Sequence, residues 1–166
     1  MFTHQNKRDE LYDLYLRKIG DISFTQREID VLACIVVHNR SEKMIASILS
    51  VSPRTIGTHT SNIMKKLGNS TRENIRIIAN NSGKLPYIRE YYIHLRIYSM
   101  FVKVLQYVGK NLIRQNKTLV VESSDLKNLT FIELKKYLSL ANIDIEFSEF
   151  LMLNDYISWS FNIGGS

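Results

Sequence analysis

Between residues 24 and 75 the chain carries a helix start or stop signal at almost every joint, and that punctuation leaves few folds open. Thr25 stands three residues before Glu28. This is the spacing of a capping box, in which hydroxyl and carboxylate satisfy backbone donors left open at a helix start. Ile29, Leu32, Ala33 and Val36 follow at helical spacing. Ser41 is placed to cap a second helix with an apolar face of Ile45, Ile48 and Leu49. Val51 and Ser52 make a tight break, and Ser52 caps a third helix with Pro53 at its first position, where a missing N–H is harmless. Gly68 ends that helix. Ser70 and Glu73 are spaced as a second capping box and open a fourth.

The third helix has two unlike faces. Ile56, Thr60, Ile63 and Leu67 share one stripe; Arg54, Gly57, Thr58, Ser61 and Lys65 share another, centred about 150° away at 3.6 residues per turn. The first stripe suits a core. The second is small, polar or basic and carries no acid, so it fits a major groove and hydrogen-bonds to base edges. Two short helices joined by a break of about three residues make a helix-turn-helix.

These residues resemble the LuxR-type (GerE-type) helix-turn-helix of bacterial transcription regulators. Thr25, Arg27, Glu28, Val31 and Leu32 match the opening of the family pattern, and Lys43, Ile45 and Ala46 match its scaffold helix. Ser52, Thr55, Ile56, His59, Asn62, Ile63, Lys66 and Leu67 match its recognition helix, with Ile56 standing for valine, and Arg72 matches the arginine that opens the last helix. The chain departs from the pattern near Asn39, where glycine is frequent, and at Gly57, where a basic residue is common. The resemblance implies DNA binding and dimerisation through the fourth helix, here 71–80. Its usual order puts a regulatory domain first, whereas here the second region follows the motif. The family's usual inputs, phosphoryl transfer or a signalling lactone, are therefore not carried over.

Charge agrees with such a partner. The chain of 166 residues has a net charge of +6. Residues 40–76 hold seven basic side chains against Glu42 and Glu73, as a phosphate-binding surface needs. The opening residues are polar rather than leader-like, and no apolar run approaches the roughly 20 residues of a membrane span; the expected location is cytoplasmic, with no membrane partner. Cys34 is the single cysteine, so no internal disulfide forms, and its apolar neighbours make it a core thiol. His4, His38, His59 and His94 are scattered without ligand spacing. No phosphate loop or nucleophile elbow appears. The expectation is no metal, no cofactor and no enzyme.

Around the motif, Leu11, Leu14, Tyr15 and Ile19 predict a helix over 7–19, ending at Gly20. Asn80, Asn81, Ser82, Gly83 and Pro86 mark a boundary. A long helix is predicted over 87–115. Ile88, Tyr91, Leu95, Tyr98, Val102, Leu105 and Leu112, with Gly109 in the same series, fall at alternating spacings of three and four, a heptad seam suited to pairing with a second copy. Arg89, Arg96, Lys103, Lys110 and Lys117 recur every seventh residue as a basic line, either a solvated face or a contact line for phosphates or acidic protein. Residues 118–166 hold seven acids against three lysines. There the pattern predicts a short strand at 119–122, a helix over 126–140 and alternating strands at 143–148 and 157–163.

The fold class expected is mainly α: an N-terminal four-helix LuxR-type helix-turn-helix domain within 1–83, then a long connecting helix and a small α+β C-terminal domain within 84–166. The function expected is a sequence-specific DNA-binding transcription regulator acting as a homodimer. DNA contacts are expected from Lys43, Ser52, Arg54, Thr55, Gly57, Thr58, His59, Ser61, Asn62, Lys65 and Lys66, with the helix starts at Ser41 and Ser52 on phosphates. Dimer contacts are expected from Arg72, Ile75, Ile88, Tyr91, Leu95, Tyr98, Val102 and Leu105. Partners are double-stranded DNA and a second copy of the chain. The alternatives are an interaction module that binds another regulator or RNA polymerase, and a small-ligand sensor through the C-terminal domain.

Overall fold

The computed structural model describes residues 4–68, 71–114, 135–136, 139 and 149–153, with side chains for all of these except 4, 5 and 104–114. Helix α1 (His4–Leu11) runs into a π-helical turn (Tyr12–Leu16), so the single helix predicted over 7–19 is corrected. The Arg17 N–H donates to the Tyr12 carbonyl five residues back, at 2.9 Å, and that extra residue in the turn shifts the helical phase. Leu16 is therefore buried five residues after Leu11, and Leu14 and Tyr15 are left 62% and 37% exposed. Ile19 still reaches the core, but from a two-stranded hairpin. Strand β1 (Lys18–Ile19) pairs antiparallel with β2 (Ile22–Ser23), Lys18 opposite Ser23. The turn between them needs Gly20, at φ +62°.

Four helices follow: α2 (Gln26–His38), α3 (Glu42–Leu49), α4 (Pro53–Lys66) and α5 (Arg72–Asn81). The capping box at Thr25 is complete. Its hydroxyl accepts from the Glu28 N–H at 3.2 Å, and its own N–H donates to the Glu28 carboxylate at 2.8 Å. Ser41 accepts from the Met44 N–H at 3.3 Å and Ser52 from the Thr55 N–H at 3.1 Å. Asn39 adopts φ 45°, ψ 45° at the end of α2, so it supplies the left-handed residue that the family pattern fills with glycine; asparagine tolerates this region better than most side chains. Ser50 does the same after α3, at φ 56°. Helix α5 is capped by Thr71, which accepts from the Asn74 N–H at 3.3 Å, and Glu73 pairs with Arg76 at 3.1 Å. The expected box of Ser70 with Glu73 falls on Ser70, which lies outside the described residues.

One apolar core joins these elements. Ile29, Val31, Ile35, Ile45, Ile56, Ile63 and Ile75 are each 0% exposed, and burial of each such side chain contributes about 1.5–3 kcal/mol. Cys34 sits among them, its thiol pushed up to about 12 by burial and by the Asp30 charge. It stays protonated, in keeping with a core side chain.

Helix α6 (Leu85–Arg114) is the element whose role differs most from expectation. Ile88, Tyr91, Tyr92 and Leu95 belong to the same core as the helix-turn-helix. The Tyr91 hydroxyl donates to the buried Asp30 of α2, and the Arg40 guanidinium donates to the Tyr92 hydroxyl at 3.3 Å. Tyr87 stacks on Tyr15 with ring centroids 4.1 Å apart. The upper half of the seam is thus consumed within the chain. The basic line is also broken: Arg89 is exposed, Arg96 is 1% exposed and Lys103 is half-buried. Lys110 and Lys117 lie outside the residues whose side chains are described.

Contacts divide the chain into two compact units, Met1–Arg96 and Ile97–Ser166. In the second, residues 135, 136, 139 and 149–153 are helical and Leu153 is buried. The strands expected at 119–122, 143–148 and 157–163 lie outside the described residues. Among those described, no helix is long and apolar enough to cross a membrane.

Candidate nucleic-acid interface

The outward face of α4 is built by its inward one. Ile56, Thr60 and Ile63 are buried, and the Thr60 hydroxyl is satisfied by donating to the Ile56 carbonyl at 2.9 Å. With that stripe locked into the core, Arg54, Thr58, Ser61 and Lys65 stand in solvent on the opposite side. Thr55, Gly57, His59 and Asn62 are half-buried along its edges. The Ser52 and Thr55 hydroxyls are 2.9 Å apart, so Thr55 reinforces the cap at the helix start. Thr58 donates to the Arg54 carbonyl at 3.2 Å, which leaves its oxygen lone pairs outward. Pro53 and Ser52 are exposed, and the α4 N-terminus opens to solvent. Lys43 is exposed near the start of α3. Among the described residues no salt bridge engages Lys43, Arg54 or Lys65.

Lys66 is placed differently from expectation. Its ammonium donates to the Glu28 carboxylate at 2.7 Å and the Ser23 carbonyl at 3.0 Å, and it lies over the Phe24 ring at 5.6 Å. Burial pulls the Glu28 carboxyl up, but the Lys66 ammonium and the Thr25 N–H and hydroxyl outweigh it and hold the group below its ordinary value. The last turn of α4 is thereby fastened to the start of α2. Arg72 is likewise turned inward, donating to the Arg40 carbonyl at the turn after α2. Of the other residues expected at a dimer contact, Ile75, Ile88, Tyr91 and Leu95 are buried in the chain's own core. Tyr98 and Val102 are half-buried, and Leu105 lies outside the residues whose side chains are described. The exposed apolar residue on α5 is Ile77, at 47%.

A helix with a cationic, short-chained outer face, set behind a three-residue turn, is a groove reader in form. The family model of bacterial regulatory proteins, luxR family, matches residues 22–79. This segment is a LuxR-type helix-turn-helix. No curated protein and no solved structure matches the chain. The LuxR-type segment runs from β2 into α5, so α1, the π turn, β1 and the start of α6, up to Leu95, pack on it from outside. Among the described residues no cluster of histidine, cysteine and carboxylate has the makings of a metal site.

Sequence pattern gave no sign of one neighbour of the LuxR-type recognition helix. Glu42, the first residue of α3, lays its carboxylate against Gly57: both oxygens are 3.6 Å from where a Cβ on Gly57 would stand. An acid in the first turn of a helix is so commonly a complement to the helix dipole that its position alone does not reveal this neighbour.

Proposed function

We propose that the protein is a sequence-specific DNA-binding transcription regulator that acts as a homodimer. The observation that carries this reading is the α4 outer face, where Arg54 and Lys65 flank Thr58 and Ser61 on a helix anchored by the core. Arg54, Lys65 and Lys43 contact phosphates, together with the α4 N-terminus; Thr58 and Ser61 meet base edges. Lys66, held by Glu28 and Ser23, orients the helix instead of binding DNA. Short readers give modest direct discrimination, so DNA shape and bridging water add to it.

The second copy is best accommodated on α5. Ile77 is the exposed apolar residue there, and Glu73 and Arg76 beside it supply a charged rim. The resemblance to the LuxR-type family supports the same helix. A symmetric dimer would present two α4 helices to half-sites of one duplex.

A gel-shift titration on genomic fragments tests the reading. Discrete complexes on a subset of fragments, surviving an excess of random duplex, are expected. Equal or absent retardation across all fragments would remove sequence-specific DNA binding and leave recognition of another regulator as the better account.

A further inference from the structure

The DNA-facing side of α4 has a gap, and an acid fills it. Gly57 is half-buried at the α3-side edge of the outward stripe, one turn from both Arg54 and Ser61. The Glu42 carboxylate from α3 lies over that spot, 3.6 Å from a would-be Cβ with both oxygens. Glu42 is exposed, and among the described residues no salt bridge neutralises it. With Glu73 it is one of two acids among the seven basic residues of 40–76, so against phosphates alone it is unfavourable: it repels the backbone that Arg54 and Lys65 attract.

We infer that Glu42 is a specificity-determining residue that reads a cytosine in the major groove through the space left open at Gly57. The inference rests on the DNA-binding reading above and deepens it. The chemistry is selective because a carboxylate only accepts hydrogen bonds. The groove edges of guanine and thymine offer acceptors, the guanine N7 and O6 and the thymine O4, which repel it. Cytosine offers its N4 amino group, the ordinary partner of a glutamate. Adenine offers N6 beside the N7 acceptor, and so suits an amide, which donates and accepts together. The recognition helix therefore borrows a reading group from its neighbour: Gly57 provides the room and Glu42 the acceptor. A long side chain at position 57 would displace it.

Selection of sites from a randomised duplex library, run in parallel with the wild-type full chain, Glu42→Gln and Glu42→Ala, tests this. The wild type is expected to enrich cytosine at one position of its site by roughly 5- to 150-fold over the disfavoured bases. Glu42→Gln should move that single position to adenine. Glu42→Ala should flatten it, leave the other positions intact and bind random duplex several-fold more tightly. If both variants select the same base as the wild type at every position, or if no wild-type position prefers cytosine, Glu42 does not read DNA and the proposal is overturned. If the wild type enriches no site at all, it is the DNA-binding reading that has failed, and this inference goes with it.

Discussion

Helices α4 and α6 are written in similar code and used in opposite ways. Each has an apolar stripe and a basic line. In α4 the stripe of Ile56, Thr60 and Ile63 is buried, while Arg54 and Lys65 remain in water. In α6 the stripe of Ile88, Tyr91 and Leu95 is also buried, but against the chain's own helix-turn-helix, and the basic line is broken by Arg96, at 1% exposure. Periodicity reports that a face is apolar. It does not report whether the surface that covers it belongs to the same chain or to a second one. For α4 the question is settled by neighbours close in sequence, since α2 and α3 come just before it. For α6 the partners Asp30 and Arg40 lie 61 and 52 residues away from Tyr91 and Tyr92.

The largest effect that can break this contrast is at Leu95, 2% exposed. Leu95→Ala should destabilise the chain by about 2–5 kcal/mol. Because the side chain is buried within one copy, the urea midpoint shift should be the same at low and high protein concentration. A destabilisation that shrinks as protein concentration rises would return Leu95 to a dimer seam. Next comes Tyr91→Phe, which removes the hydroxyl held by Asp30. Arg8 and Arg27 remain near that carboxylate, so a destabilisation of about 1–3 kcal/mol is expected in denaturant titration; no change would mean that the hydroxyl does not anchor α6 to α2. Ser52→Ala should cost about 0.5–2 kcal/mol because α4 then has no cap. DNA binding should weaken more for Ser52→Ala than for Ser41→Ala, because Ser52 opens the recognition helix; equal weakening would count against α4 as the reader.

Lys66→Met is the smallest change and the one that separates positioning from contact. The pair with Glu28 is partly exposed on the lysine side, 36%, and about 1 kcal/mol is expected after solvent screening. Its pH dependence has a definite sign. The Glu28 carboxyl is held below its ordinary value in the fold, so the stability it contributes is present above the unfolded value, near 4.5, and disappears as pH falls through the lower folded one. Acid titration of Lys66→Met should show a smaller drop in that window than the wild type. An identical acid limb in the two proteins would mean that Lys66 does not set the Glu28 charge.

What was legible in the sequence follows the same division. Caps are chemical and local: Thr25 with Glu28, Ser41, and Ser52 before Pro53 can each be read from a few adjacent residues, and each is found at its helix start. The α4 faces are legible because both stripes lie within fourteen residues of one helix. The π turn was not legible, since nothing in Tyr12–Leu16 differs in pattern from an α-helix; the Arg17–Tyr12 backbone bond and the burial of Leu16 in place of Tyr15 reveal the added residue. The cap of α5 was displaced by one, because Ser70 and Thr71 have the same chemistry. Lys66, Arg72 and Glu42 were hidden from sequence for a single reason. A charged side chain on a helix surface is assigned to solvent or ligand by default, and its true partner, Glu28, the Arg40 carbonyl or the space over Gly57, is set by how separate helices meet.

The central claim is that the outward face of α4, and not the last turn beyond it, meets the phosphate backbone. The slope of log affinity against log salt on one fixed duplex measures this directly for the wild type, Arg54→Ala, Lys65→Ala and Lys66→Ala. Removing Arg54 or Lys65 should flatten the slope by about 0.9 for each phosphate that the side chain neutralises, and Lys66→Ala should keep the wild-type value. An unchanged slope for Arg54→Ala and Lys65→Ala together would contradict the claim.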